Sequence, residues 1–178
     1  MPEAQDFSKL GPPASPISWQ LAKELIEDGS LAALAQLRRK AEDVEAYQAY
    51  LHKLKSEYAS TVDYLMITVF KAQRTVLTGG KVAAVAPAWV ACPDQAPVIV
   101  WRLNDFPYWF EPGIQHWVLW SSRPLSHQAV LDEVAGHWPG SQCLHWVNPV
   151  QLQSVTAIWH AHVLVRAAAP GSPPASCV

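Results

Sequence analysis

The amino-acid sequence predicts an α+β fold, in which an N-terminal helical layer is followed by a mostly antiparallel sheet with one inserted helix. Over residues 17–70, apolar side chains recur at helical spacing. From about residue 71 the pattern changes, because Val, Thr and Trp become frequent and Gly79-Gly80 and Pro87 separate short apolar runs. Half of the 178 residues are hydrophobic and only 16% are charged, which is enough apolar surface for a packed core.

A single domain is expected over residues 17–167, helical over 17–70 and sheet-forming over 71–167. Pro, Gly, Ser and Ala are frequent in residues 1–16 and 168–178. Segments of this composition bury little apolar surface, so we expect both ends to be flexible tails.

Four helices are predicted in the first part of the chain. Three of them have a capping residue at the start. The first is expected over 19–28, after Ser18 and before Gly29, the second from Ser30 to near Lys40, and the third from Ser60 or Thr61 through Phe70. The remaining helix is predicted from an apolar stripe at helical spacing, formed by Val44, Tyr47, Leu51, Leu54 and Tyr58. No residues that indicate chemistry are concentrated in this helical layer.

The second part of the chain is predicted to contain short strands. A hairpin is expected around Gly79-Gly80, between Thr75–Thr78 and Lys81–Val85. Further strands are expected at 98–103, 116–121, 143–147 and 158–166. One helix over 127–138, capped by Ser126, interrupts them.

Charge and cysteine content exclude several classes of protein. The formal net charge is −2 and the longest basic run is Arg38-Arg39-Lys40, too little for a nucleic-acid-binding surface. No apolar run reaches the ~18–20 residues that a membrane helix needs. An odd number of cysteines without a CxxC pair favours reduced thiols, namely those of Cys92, Cys143 and Cys177. We therefore expect a cytoplasmic protein with neither a nucleic-acid nor a membrane partner.

The strand predicted over 158–166 carries the strongest functional signal. Alternation places His160, His162 and Arg166 on one face, while the face that begins with Trp159 is apolar. Histidine titrates near neutral pH and can act as a base, a nucleophile or a ligand, and arginine suits phosphate. His162 and His160 are therefore candidate catalytic residues. Arg166 is expected to bind ligand in a pocket shared with His116.

Polar and aromatic residues near this strand are further candidates for ligand binding. Besides His116 and Arg166, they are Asn104, Asp105, Tyr108, Trp120 and Asn148. Asn104 and Asp105 follow a strand, where their side chains can equally bond their own backbone. Eight of the nine tryptophans lie between Trp89 and Trp159. This clustering favours a pocket whose aromatic walls stack on a ring-containing ligand.

A metal site is an alternative interpretation of the histidine pair. A His-x-His strand supplies two ligands for zinc or iron, and His116, His145 or Asp105 would supply a third. No Glu or Asp flanks the pair. We therefore favour a metal-free site without a cofactor.

Several motifs resemble those of a domain of unassigned activity in the N-acetylglucosamine-induced proteins of fungi and algae. The resemblance covers roughly residues 17–166 and includes an Arg-rich step before a Tyr-containing helix, Asn104–Tyr108, Glu111-Pro-Gly, His116–Trp120, Asn148-Pro149 and Trp159–Val163. The chain departs from the family pattern at about 71–97, where an Ala/Val/Pro-rich stretch is expanded.

The order of the elements is also similar to that of histidine-triad nucleotide hydrolases and transferases. That similarity implies that His160 and His162 match the first two histidines of the triad and that His162 is the nucleophile on a phosphate. Leu164 stands where the third histidine of the triad would be. This departure favours phosphate or nucleotide binding over covalent catalysis.

Three functions are carried forward. The first is binding or processing of a phosphorylated small molecule, such as a nucleotide or nucleotide-sugar. The protein would then be a metal-independent hydrolase or transferase, or a degenerate relative of such an enzyme. The second is a non-catalytic module that recognises a sugar or a peptide. The third is a metal-dependent enzyme that uses His160 and His162.

Overall fold

The computed structural model of the chain describes residues 11–87, 90 and 95–167. Residues 11–16 form no helix or strand, and the carbonyl of Gly11 accepts a hydrogen bond of 2.5 Å from Arg38. The rest of the two predicted tails lies outside the described residues, as do Trp89, Cys92 and Cys177. Cys143 is buried and forms no disulfide with another described residue.

The predicted α+β architecture is confirmed. In the described part of the chain the helices are α1 (Trp19–Asp28), α2 (Leu31–Leu34), α3 (Ala41–Glu57), α4 (Thr61–Thr68) and α5 (His127–His137). The strands are β1 (Arg74–Val76), β2 (Val82–Ala84), β3 (Ile99–Leu103), β4 (Gln115–Ser121), β5 (Gln142–Trp146) and β6 (Trp159–Arg166). A short 3-10 helix, Val150–Leu152, connects β5 to β6.

The helix boundaries follow capping chemistry closely. The hydroxyls of Ser18, Ser30, Ser60 and Ser126 each accept a backbone N–H in the first turn of a helix. Gly29 ends α1 in the left-handed conformation, at φ 65°. The second helix is shorter than predicted. It ends at Leu34, because the chain then turns so that Leu37 can join the buried core around α1.

Strands β3 to β6 form one antiparallel sheet in the described part of the chain, with the order β3-β4-β6-β5. Strand β6 therefore lies inside the sheet, where Val118 pairs with His162 and Trp120 pairs with His160. The predicted hairpin around Gly79-Gly80 forms separately from β1 and β2.

The sheet is covered on both faces. Helix α5 packs on one face against apolar residues of β4, β5 and β6, including Leu119, Ala161 and Val163, which are fully buried. Helices α1, α2 and α4 cover the other face, where Leu164 and Val118 contribute to two separate cores. We call this second side the helix-facing side of the sheet. His116, His160 and His162 all lie on it.

The segment after β3 is held against the helices by backbone hydrogen bonds. The N–H of Trp109 donates to the carbonyl of Arg38 at 2.8 Å, and the N–H of Ile17 donates to the carbonyl of Trp109 at 2.7 Å. Phe106 packs on Tyr47 and Tyr50 of α3, with ring centroids 5.2 and 4.9 Å apart. These contacts fix the distance between α3 and the sheet. Among the described residues, no helix combines the length and the apolar character that crossing a membrane requires.

Candidate functional site

A cavity of about 190 Å³ lies between α3, α4 and the helix-facing side of the sheet. We call it the central cavity. Its chemistry is set by two arginines, one carboxylate, two histidines, two asparagines and six large aromatic side chains. They are Arg39, Arg102, Asp105, His160, His162, Asn104, Asn148, Tyr47, Tyr50, Tyr64, Phe106, Tyr108 and Trp120.

Most of the predicted site residues meet in this cavity. His160, His162, Asn104, Asp105, Tyr108, Trp120 and Asn148 all line it. Their convergence follows from the strand register, because neighbouring strands place alternate residues on the same face. His160 and Trp120 illustrate this pairing, since their rings lie 4.7 Å apart.

His116 lies behind the cavity wall instead of lining it. It is 3% exposed, and its Nε2 lies 2.9 Å from Nδ1 of His162. Its Nδ1 accepts the backbone N–H of Tyr108 at 3.2 Å. His116 therefore contacts a ligand only through His162, so its predicted place in the pocket needs correction.

The expectation that Arg166 shares the pocket is wrong. Arg166 lies on the predicted face but at the far end of β6, where Nε donates to Gln142 at 2.5 Å. Its guanidinium carbon lies 4.4 Å from the centroid of the Trp19 ring in α1. The four-residue step from His162 to Arg166 spans more than 10 Å along a strand, which is too far for both to face one small cavity.

His145 also lies away from the site. It points to the opposite face of the sheet, where its Nε2 is 3.0 Å from Nδ1 of His127 at the start of α5. It therefore cannot supply the third metal ligand considered for the His160–His162 pair. Within the described residues, no three or more His, Cys, Asp and Glu side chains are grouped so as to hold a metal ion.

Tyrosines, more than tryptophans, form the aromatic wall. Among the described tryptophans only Trp120 lines the cavity. Trp146 lies beneath it and stacks on His162, with centroids 4.9 Å apart and an interplanar angle of 18°. Trp101, Trp117 and Trp138 pack together on the α5 side. The predicted aromatic lining exists, but most of the clustered tryptophans belong to the core.

Arg39 is the site residue that the sequence interpretation missed. Its guanidinium carbon lies 4.2 Å from the ring centroid of Tyr47 and 5.3 Å from that of Tyr108. Its Nε donates to the carbonyl of Phe106 at 2.8 Å. Among the described residues its two terminal amino groups have no hydrogen-bond partner. One sequence signal was available, namely the Arg-rich step before a Tyr-containing helix.

Arg102 and Asp105 form the second charged feature of the cavity. Nη2 of Arg102 lies 2.5 Å from Oδ2 of Asp105. Asn104 stabilises the turn after β3, because its Oδ1 accepts a hydrogen bond from the backbone N–H of Phe106 at 3.0 Å. With the histidines neutral, the charged lining residues sum to one positive charge, so the cavity favours an anion.

The histidines on the helix-facing side are neutral at physiological pH. Burial lowers the pKa of His116 to about 3, and the charge of Arg39 adds to this effect. Burial also lowers the pKa of His162 well below its ordinary value, with further contributions from His116, His160 and Arg39. Burial lowers the pKa of His160, against the opposing effect of its bond to the Ile158 carbonyl.

The fold and the cavity define a small α+β protein with an aromatic, weakly cationic cavity between its sheet and helices α3 and α4. The chain belongs to the family described as protein of unknown function (DUF3605), whose family model matches residues 18–139. That segment contains Arg39, Arg102 and Tyr108, whereas Asn148 and the His160–His162 pair follow it.

Two relatives extend the comparison over most of the chain. The uncharacterized protein YPL067C of Saccharomyces cerevisiae is 30% identical over 166 residues, which cover 83% of this chain and 77% of the yeast protein. The solved structure titled "Crystal Structure of HTC1" superposes with a TM-score of 0.59 at 25% identity and covers 84% of both chains.

Proposed function

We propose that the chain binds a small, ring-containing phosphorylated molecule, such as a nucleotide or nucleotide-sugar, in the central cavity. The observation that carries this proposal is the position of Arg39. Its guanidinium lies over the rings of Tyr47 and Tyr108, and among the described residues its terminal amino groups have no hydrogen-bond acceptor. A planar guanidinium held in this way suits bidentate contact with phosphate, and tyrosine rings suit a flat ligand.

Binding without a covalent step fits the histidines best. Both ring nitrogens of His162 already face protein groups, at 2.9 Å from His116 and at 3.1 Å from Asn148. A nucleophile on phosphorus needs an unengaged ring nitrogen. Leu164, at the position of the missing third histidine, is fully buried in the core beneath α1. The similarity to histidine-triad proteins therefore supports phosphate recognition more than phosphoryl transfer.

A neutral sugar is the second candidate. The tyrosine hydroxyls, Asn104, Asn148 and the neutral histidines offer both donors and acceptors, as sugar hydroxyls require. The resemblance to N-acetylglucosamine-induced proteins is the reason to include N-acetylglucosamine and its phosphates among the ligands to test.

Titration calorimetry with nucleotides, nucleotide-sugars, sugar phosphates and their unphosphorylated counterparts tests the proposal. The informative variants are Arg39→Met and the matched control Arg166→Met. Loss of a charge-assisted hydrogen bond costs about 1.5–3 kcal/mol, so Arg39→Met should weaken binding roughly 10–150-fold. Arg166→Met should leave the affinity unchanged, because Arg166 lies on Trp19.

Three results would count against the proposal. They are no binding of any phosphorylated compound at millimolar concentration, equal losses in the two variants, and equal affinity for a sugar and its phosphate. The last result would favour the neutral-sugar alternative.

A further inference from the structure

The buried network behind the central cavity connects two groups that can only donate hydrogen bonds. One is the backbone N–H of Tyr108, which donates to Nδ1 of His116 at 3.2 Å. The other is the indole N–H of Trp146, which donates to Oδ1 of Asn148 at 2.8 Å. Between them lie His116, His162 and Asn148, joined at 2.9 and 3.1 Å.

Each of the three linking side chains offers one donor and one acceptor along the network. Starting from Tyr108, Nδ1 of His116 accepts, so Nε2–H of His116 donates to Nδ1 of His162. His162 then carries its proton on Nε2. Starting from the other end, Asn148 uses its oxygen for Trp146, and its Nδ2 donates one hydrogen to the Tyr108 hydroxyl at 3.2 Å and presents the other to His162. Two donors therefore meet at the junction between His162 and Asn148.

With the ring nitrogens in these positions, the conflict remains when the amide is flipped or the histidine tautomers are reversed. If the Asn148 amide is flipped, its NH2 group faces the indole N–H of Trp146 at the 2.8 Å contact. If the histidine tautomers are reversed, the two facing donors lie at a contact of His116 instead. With both histidines neutral, one junction always has a surplus proton. Of the junctions at which the surplus proton can lie, only that between His162 and Asn148 is formed by two residues that line the cavity. The contact of Asn148 Nδ2 with the Tyr108 hydroxyl, at 3.2 Å, pairs a donor with an acceptor.

We infer that the Nε2–H of His162 and the Nδ2–H of Asn148 form a paired donor site, which binds one hydrogen-bond acceptor oxygen of the ligand. A carbonyl or phosphoryl oxygen carries no proton and accepts from both groups at once, in the manner of an oxyanion hole. This assignment rests on the proposed function for the identity of the ligand. It adds that the ligand presents an acceptor oxygen opposite its anionic end.

The two ends of such a ligand are compatible with the cavity. The ring of Tyr108 lies 5.3 Å from the Arg39 guanidinium and 5.7 Å from the His162 ring. The anion site and the donor pair are thus separated by one tyrosine ring. An aromatic or sugar ring that lies against Tyr108 would connect a phosphate at Arg39 to an oxygen at His162.

The first test uses the full-length 15N-labelled chain without ligand at pH 7.5. Long-range proton–nitrogen NMR should show His116 and His162 both protonated on Nε2 and bare on Nδ1. The indole N–H of Trp146 should be protected from hydrogen exchange. Protonation of His162 on Nδ1, or a freely exchanging Trp146 indole, would overturn the inference. Neither readout depends on the ligand.

The second test adds 4-acetylphenyl phosphate, which presents a carbonyl oxygen opposite its phosphate, and separately N-methylacetamide as an uncharged carbonyl. Slower exchange of the His162 Nε2–H on addition of either probe supports the donor pair. If 4-acetylphenyl phosphate binds and neither probe affects His162, the donor pair is wrong while the proposed function stands. If 4-acetylphenyl phosphate does not bind and N-methylacetamide slows the exchange, the proposed function fails while the donor pair stands. If neither probe binds or affects His162, the inference falls.

A variant pair separates the donor site from a general charge effect. In Asn148→Asp a carboxylate accepts from both His162 and Trp146, and so competes with the ligand oxygen. Binding of 4-acetylphenyl phosphate should weaken roughly 10-fold or more relative to Asn104→Asp, because its carbonyl oxygen loses the donor pair. Asn104→Asp places the same charge in the cavity wall and retains an acceptor for Phe106. Equal losses in both variants would overturn the inference.

Discussion

Three histidines on the helix-facing side of the sheet are kept uncharged by the residues around them. His116, His160 and His162 are each less than 10% exposed, and their neighbours are aromatic rings, amides and other imidazoles. Among the described residues no carboxylate contacts them, so burial is not offset by a counter-charge. Neutral imidazoles of this kind serve as hydrogen-bonding groups more readily than as proton donors at neutral pH.

The stability of the protein should fall as the pH drops below about 6.5. An unfolded chain protonates its histidines near pH 6.5, whereas the native state resists protonation because these pKa values are lowered. Each buried histidine then contributes a loss of up to ~1.4 kcal/mol per pH unit, from pH 6.5 down towards its native pKa. Urea unfolding between pH 7.5 and 5 measures this slope.

His160→Gln provides the test of that assignment, and His52→Gln on the exposed side of α3 provides the control. The first substitution should reduce the slope by up to ~1.4 kcal/mol per pH unit, and the second should leave it unchanged. A flat stability profile between pH 6.5 and 5 would show that these histidines take up protons in the native state.

His162→Ala separates ligand binding from catalysis. As a binding residue, His162 should contribute about 1–3 kcal/mol, so its loss should weaken binding of 4-acetylphenyl phosphate roughly 5–150-fold. His145→Ala is the matched control, since it removes an imidazole from the other face of the same sheet. If the wild-type protein hydrolyses a phosphorylated compound and a stably folded His162→Ala does not, His162 has a catalytic role.

At the scale of secondary-structure elements, local signals placed most helices and strands to within two residues. Serine caps and left-handed Gly29 act over one helical turn, so the sequence alone reveals them. The apolar stripe of α3 correctly predicted a helix, but it did not reveal what that stripe faces. Within α3 only Leu54 is buried, because Tyr47, Tyr50 and Leu51 face the central cavity.

Two glycines should respond in opposite ways to alanine. Gly29→Ala should destabilise the protein by about 1 kcal/mol, since φ 65° is unfavourable for a residue with a Cβ. Gly136 lies within α5, and a Cβ added there would meet no other atom within 4 Å. Gly136→Ala should therefore stabilise the protein by about 0.4–1 kcal/mol. Thermal and urea unfolding of both variants measure the difference. Equal shifts would show that the end of α1 adapts its backbone.

At the scale of the whole molecule, the sheet is the shared wall between two helical layers. Leu164, fully buried, packs with Trp146 and residues of α1 beneath the helical layer. On the reverse face, Val163 and Val165 pack in the core covered by α5. The same strand therefore ties both layers together, and the cavity depends on their fixed separation.

Leu164→Ala should therefore be strongly destabilising. Removal of a fully buried leucine side chain typically costs ~2–5 kcal/mol. Val76→Ala is the control, since Val76 is 64% exposed on β1 and should change stability by less than ~0.5 kcal/mol. Urea unfolding gives both values. A loss below ~1 kcal/mol for Leu164→Ala would indicate that α1 readily collapses onto the sheet.

The sequence by itself determined the α+β class, the capped helices and the shared face of His160 and His162. Each of these depends on spacing within one element, where backbone geometry fixes the direction of every side chain. Only the tertiary structure decided that Arg39 and the tyrosines of α3 and α4 complete the cavity and that Arg166 does not. Those positions depend on contacts between segments distant along the chain, such as Trp109 with Arg38, which local periodicity does not encode.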